Sequence, residues 1–434
     1  VSTNTPKAQV FMPDHDVIVI GAGFAGLTAA TALMEAGKDV VLLEAQPRVG
    51  GRVDSQALPD GSRVDTGGQF FSRDMTQVVA LAERHGASRV FSYASGRESY
   101  RPPVPPEQGA RIWEGVDHLR DRLLSVDLAD PAFARLTVAQ WIDQQEDTPE
   151  EVRNAYRRLV KGLWCRAPEE ITLAYLVSND SRVTNEYPEL EMFLDGTMHA
   201  LAEKHAASLG NRLRLSSPAT GITLKEDHVE VTVEGETLSA SQVLLAVPPV
   251  MARRIDISPS WSSDLQQALD AWAPGCAIKL QLGYATPFWR DKGLNGSVVW
   301  NEPQGIYACD ASHDNYFGIV VFFGGPLASE WHKRPQKELA DFVASELAKA
   351  LGEEAAHPGS VCMKDWVNDP WSGGAYSDVI TDLDAQNAEA VLLEGLPRLS
   401  FACSELSPSF PGYVEGAIVA GKQAAAVLLQ RLKL

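Results

Sequence analysis

The chain has 434 residues, 45% hydrophobic and 22% charged, an ordinary balance for a folded globular protein that excludes disordered and fibrous classes. Its 38 basic and 57 acidic side chains give a formal charge of −19, a mean field that repels phosphate and argues against nucleic acid or an anionic membrane as partner. The length fits two or more domains, or one core with a large insertion.

Residues 1–15 read as a loose arm with no signal-peptide core. The run Asp16 to Ile20 predicts a buried parallel strand. A glycine-rich turn follows, and Leu27 to Gly37 has apolar residues at helical spacing, with Gly37 as the stop. Asp39 to Glu44 predicts a second buried strand, so the fold opens on a strand–helix–strand unit. Arg101-Pro-Pro-Val-Pro-Pro106 predicts a stiff connector. Residues 107–210 read as mostly helical, with an acidic surface stretch from Asp143 to Glu151. Alternation at Val229, Val231 and Val233 predicts half-buried strands, and Val243 to Val247 a buried one. Further strands are expected in 275–325, an amphipathic helix over 329–351, and a strand, a loop and a terminal helix in 397–434. The implied class is α/β plus α+β, one domain assembled from separated segments with a second domain inserted between them.

No apolar run approaches the ~18–20 residues that span a bilayer. The five cysteines, Cys165, Cys276, Cys309, Cys362 and Cys403, form no pair at zinc spacing and no disulfide framework. These features predict a soluble cytoplasmic enzyme without a metal or a membrane anchor.

Gly21-Ala-Gly23-Phe24-Ala25-Gly26 fits GxGxxG in the context that gives the motif meaning, after a strand and opening a helix. Gly21 permits the tight turn, Gly23 lets the backbone approach a pyrophosphate, and Gly26 lets the helix pack on the strand. Glu44 ends the second strand about twenty residues on, where a carboxylate accepts ribose hydroxyls. Arg48-Val-Gly-Gly51-Arg52 sets a cation, Arg52, beside two flexible glycines, suited to a pyrophosphate. Gly416 to Gln423 is one residue short of a P-loop, because Gln423 replaces the Ser or Thr that holds magnesium; its helical context sets it aside.

With these motifs the sequence resembles the flavin amine oxidase family, which includes monoamine, polyamine and L-amino-acid oxidases. The match runs through Asp65-Thr-Gly-Gly68-Gln69-Phe70-Phe71, Ala167 to Thr172, Asp195 to Met198, Leu215 to Ile222, Leu245 to Pro249, Pro287 to Trp289, Phe401 to Glu405 and Gly412 to Ala417. The resemblance implies FAD in a Rossmann-type domain built from 16–92, 193–268 and 367–434, with a substrate domain from 93–192 and 269–366. It implies cofactor contacts at Ala45, at Gly68, Gln69 and Phe70 beneath the flavin, at Ala219 against adenine, at Trp366 against the ring, at Glu405 on the sugar chain, and at the N–H of Val414 facing the flavin C2 carbonyl.

On the substrate side, strand alternation puts Ile278, Leu280 and Leu282 on one face and Lys279 and Gln281 on the other. Pattern alone favours a solvated lysine; the resemblance implies a lysine that holds a water at flavin N5. Trp366 to Tyr376 matches the family segment without a gap, and Tyr376 and Tyr413 match the two rings that cage the substrate nitrogen. Ala375 stands where monoamine oxidases carry the cysteine bonded to flavin, so non-covalent FAD is expected. Phe70 stands where several L-amino-acid oxidases place an arginine, which disfavours an amino acid unless Arg73 substitutes. The expected activity is oxidation of a small-molecule amine, with hydride transfer from the carbon next to nitrogen to flavin N5, imine hydrolysis, and reoxidation by O2 to hydrogen peroxide. A dehydrogenase with another acceptor, an L-amino-acid oxidase, an FAD-dependent desaturase and a non-catalytic flavoprotein stay open as alternatives.

Overall fold

The computed structural model describes residues 12–184, 186–314 and 316–433. Most of the expected arm, residues 1–11, lies outside the described residues. Two large sheets organise the rest. The first runs, in spatial order, Asp256–Ser258, Ala219–Leu224, Val229–Val233, Glu236–Leu245, His15–Ile20, Val40–Leu43 and Leu213–Arg214, with Leu399–Phe401 also paired to Glu236–Leu245. His15–Ile20 pairs parallel to both neighbours. Val17 to Ile20 and Val40 to Leu43 are buried throughout, as near-continuous apolar runs with both faces covered must be.

The helix between those strands spans Phe24–Glu35, starting three residues before the sequence pattern placed it. Leu27, Ala29, Ala30 and Leu33 are fully buried, and burying each leucine contributes about 1.5–3 kcal/mol. This helix lies between the sheet and the terminal helix Val414–Arg431. Small residues permit the approach: a Cβ on Gly421 would stand 2.4 Å from the Ala25 carbonyl oxygen.

The second sheet runs Ser360–Asp365, Ala277–Tyr284, Phe317–Gly324, Ile306–Asp310, Leu294–Trp300 and Arg97–Arg101. Its pairings are antiparallel except the last. Arg101 thus belongs to a strand and Pro106 opens the helix Pro106–Leu124, so the proline-rich connector shrinks to the residues between them. Helices Glu150–Leu163 and Leu173–Asp180 share a buried apolar cluster with first-sheet residues such as Ile18, Val41 and Val243. The single helix expected over 329–351 is two, Pro326–Trp331 and Gln336–Leu351. Pro335 causes the break: its ring disfavours helical geometry in the residue before it, and it caps the second helix instead. Among the described residues no helix is long and apolar enough to cross a membrane.

Candidate functional site

A cavity of about 1470 Å³ runs from the carboxyl end of the first strand to the face of the second sheet. That exceeds the ~300–1,000 Å³ of a drug-sized pocket.

Its first end is made of backbone. Gly21 has φ +103°, and a Cβ there would stand 2.6 Å from the Ala246 carbonyl oxygen. A Cβ on Gly26 would stand 1.9 Å from the Gly21 carbonyl oxygen, so Gly26 works by helix-to-turn packing and does not reach the cavity wall. Gly23 is different: a Cβ there would meet nothing closer than 4.0 Å, so its open side belongs to whatever fills the cavity. Gly23 also caps the first helix without a side-chain acceptor, and Gly23, Phe24 and Ala25 line the wall. Free N–H groups and a partial positive charge at a helix start suit a phosphate. Glu44 is 6% exposed on the same wall. Its carboxylate accepts from the N–H of Ala22 at 2.7 Å and of Gln46 at 2.9 Å, while burial pushes its pKa up against those bonds. Ala45 and Ala219 line this end too.

The charged side chains at this end find partners within the protein. Arg48 turns into its own loop, donating to the carbonyls of Val49, Gly51 and Val53 at 2.9–3.1 Å. Arg52 and Gly51 line the cavity, but the Arg52 guanidinium is engaged, with Nη2 2.9 Å from Ser404 Oγ and 3.0 Å from Glu405 Oε2. Glu405 has a fully buried side chain and does not line the wall; it meets the lining residues Arg52, Ser404 and Ser377 from behind. The reason is electrostatic: a buried carboxylate is stable only when paired, and the arginine is the cation within reach. Burial pushes Glu405 up, but the Arg52 charge and hydrogen bonds outweigh it and hold the carboxyl well below its ordinary value.

The middle is lined by Gly68, Gln69, Phe70, Trp366 and Val414, the last opening the terminal helix. Trp366 Nε1 donates to the Thr66 carbonyl at 2.9 Å, which fixes the indole on the wall. Lys279 is 2% exposed, so the solvated alternative does not hold. Its Nζ donates to the Gly67 carbonyl at 2.7 Å and to Gln69 Oε1 at 2.8 Å. Burial pushes its pKa down while Asp65, itself pushed up by burial, pulls it back. Asp65 was not singled out from the sequence; the signal was the need of a lysine on a buried apolar strand for a counter-charge.

Across the sheet, Lys279 faces Phe322, Phe322 faces Tyr307, Tyr307 faces Val299 and Val299 faces Tyr100, one row across five strands. All but Tyr100 line the cavity. Tyr376 and Tyr413 also line it. Phe322 meets the Tyr376 ring edge-on, with centroids 6.4 Å apart. Tyr376 touches the Cys165 thiol behind it, and Tyr413 Oη donates to Glu189 Oε2 at 2.7 Å. Burial raises both phenols well above their ordinary value, so both stay neutral donors.

Arg73 lies off the wall, ion-paired to Glu191 and stacked 4.1 Å over Tyr187, so it does not replace the arginine missing at Phe70. The cations that do line the far part are Arg120 and Arg158. Neither is legible from spacing, because each sits on a helix that only the tertiary fold brings to the cavity.

The family model for flavin containing amine oxidoreductases matches residues 24–429. An L-amino acid dehydrogenase from Synechocystis is 30% identical, over 98% of this chain and 97% of that protein. A putrescine oxidase from Kocuria rosea is 28% identical, over 96% and 95%. Among solved structures, cyclohexylamine oxidase from Brevibacterium oxydans superposes with TM-score 0.89 at 25% identity, covering 97% of this chain and all of that one. Putrescine oxidase with bound putrescine gives TM-score 0.86 at 25% identity, covering 96% and 99%.

Proposed function

The chain belongs to the flavin-containing amine oxidoreductase family, and from that premise we propose that it is an FAD-dependent amine oxidase acting on a small-molecule amine. One observation carries the reading: a single cavity joins a glycine cradle and a buried Glu44 at one end to Lys279, Tyr376 and Tyr413 further on. The open side of Gly23, the uncapped helix start and the ribose-type carboxylate fit FAD, which supports the Rossmann-type assignment of 16–92, 193–268 and 367–434 and leaves 93–192 and 269–366 as the substrate part. When bound, FAD supplies the acceptor for the hydride from the carbon next to nitrogen, and O2 then recovers the electron pair as hydrogen peroxide.

The chain's own residues bind, orient and exclude water. Tyr376 and Tyr413 present electron-rich faces between which the amine is aligned; positioning of this kind supplies much of the barrier reduction in such a reaction. Lys279 holds a fixed ammonium near Gln69, a place for an ordered water. Arg52 and Glu405 brace the loop under the cofactor. Ala375 lines the cavity with no thiol, and Cys403 is the cysteine on the wall among the described residues, 4% exposed and beside Arg52. We therefore take FAD as non-covalent. Acid precipitation tests this: flavin in the supernatant is expected, and flavin held in the pellet overturns it.

The experiment for the activity is an anaerobic screen of amines, following loss of the oxidised flavin band near roughly 450 nm, a property of the cofactor. Oxygen uptake compared with artificial acceptors then separates oxidase from dehydrogenase. That second reading is favoured by the Synechocystis relative, an L-amino acid dehydrogenase; Phe70 on the wall and Arg73 off it weigh against amino acids.

A further inference from the structure

Behind Tyr413 lies a cluster contributed by four separate segments. Arg120 comes from the helix Pro106–Leu124, Tyr156 from Glu150–Leu163, Asp180 from the end of Leu173–Asp180, and Glu189 from the loop that follows. Arg120, Asp180, Glu189 and Tyr413 line the cavity. We propose that the Asp180–Glu189 carboxylate pair accepts the proton that a substrate ammonium must lose before oxidation. This rests on the amine oxidase reading and adds a role that none of the family motifs assigns.

The argument starts from charge. An alkylamine arrives protonated at neutral pH, as a lysine side chain does. Only the neutral amine has the lone pair that drives hydride loss from the adjacent carbon. The cluster holds two carboxylates against one guanidinium. Arg120 Nη2 stands 3.7 Å from Glu189 Oε1, and Tyr413 donates to the other oxygen of Glu189 at 2.7 Å. Asp180 is 6% exposed with no side-chain hydrogen bond among the described residues. It ends its helix, where the partial charge is negative and disfavours an anion. Burial pushes its pKa up to about 7, with Arg120 pulling down and Glu189 pushing up. A second observation concerns the same place: the Tyr156 hydroxyl is completely buried, has no hydrogen-bond partner among the described residues, and has Asp180 and Arg120 as its electrostatic neighbours.

In the step, an N–H bond of the ammonium breaks, its electron pair stays on nitrogen, and an O–H bond forms on a carboxylate oxygen. One negative charge is lost from the pair and one positive from the substrate. Arg120 then faces one remaining carboxylate, a balanced ion pair.

The test uses the flavin-loaded enzyme with benzylamine, cyclohexylamine and putrescine as probe amines. For whichever probe reduces the flavin, the reduction rate of Asp180→Asn and of Glu189→Gln is followed against pH. A loss of roughly a hundredfold near neutrality is expected, in the range of one positioned acid–base group. It narrows as the pH approaches that of the free amine. A loss of equal size at every pH, or no loss, overturns the inference and marks the cluster as structural. Infrared spectra of the protein without amine give an independent reading. A protonated-carboxyl band that titrates near neutrality and vanishes in Asp180→Asn is expected; its absence from wild type counts against the pair. If no probe bleaches wild-type flavin, the amine oxidase reading fails, while the infrared result still reports on the cluster.

Discussion

The two ends of the cavity are built on opposite plans. The Gly21 end is largely backbone, most of it laid down by the stretch from His15 to Arg52 with Ala219 added from a later strand, and apart from Glu44 its side chains matter mainly by being absent. The Tyr413 end is side chains, brought together from five elements scattered between Pro106 and Val414. A backbone site is rigid and generic; it holds any ligand with the right phosphate geometry. A side-chain site is adjustable one residue at a time, so selectivity belongs there.

Substitutions should separate the two plans, in descending size. Arg52→Leu leaves the fully buried Glu405 without its cation, and breaking such a pair costs about 3–5 kcal/mol. A large fall in urea midpoint together with flavin loss is expected; a midpoint near wild type removes the brace from the account. The pH dependence follows in sign. Because the folded pKa of Glu405 is depressed, its stabilisation is present above the ordinary carboxylate value and is lost as pH falls through the lowered one. Glu405→Gln should therefore flatten the acid limb of a melting-temperature profile relative to wild type.

Gly26→Ala forces a Cβ onto the Gly21 carbonyl and should cost about 1–3 kcal/mol, with flavin retention falling in step. A change at the side-chain end should spare retention. Lys279→Met should slow flavin reduction or reoxidation by about tenfold or more with flavin still bound. Unchanged rapid-mixing traces exclude the lysine from the chemistry. Glu44→Ala inverts this pattern: cofactor released on gel filtration, yet normal turnover when FAD is in excess. Tyr376→Phe should do least. It keeps the ring and removes only a hydroxyl whose neighbour is the Cys165 thiol, so a change within about threefold is expected in kcat/KM, against a far larger loss for Tyr376→Ala.

Sequence legibility follows the same division. Gly21, Gly23 and Glu44 could be read because their spacing lies within one strand–helix–strand unit, where local geometry decides everything. Lys279, Tyr376 and Tyr413 were reached only through the family resemblance; alternation put Lys279 on a face but not under cover. The partners of Arg48, Arg52 and Glu405 could not be read from spacing because a charge chooses its partner in three dimensions. Arg48 took its own loop carbonyls and Glu405 took Arg52.

By itself, then, the order of residues determined the opening turn, the buried strands and the glycine cradle, because each is set by contacts between residues close along the chain. Which side chains share the far wall was decided by tertiary structure alone. Arg120, Asp180 and Glu189 are sixty-nine residues apart at the extremes, and no periodicity links two helices and a loop whose packing depends on the whole core. Burial, which turns an ordinary aspartate into a candidate proton acceptor, is a property of that packing and not of any motif.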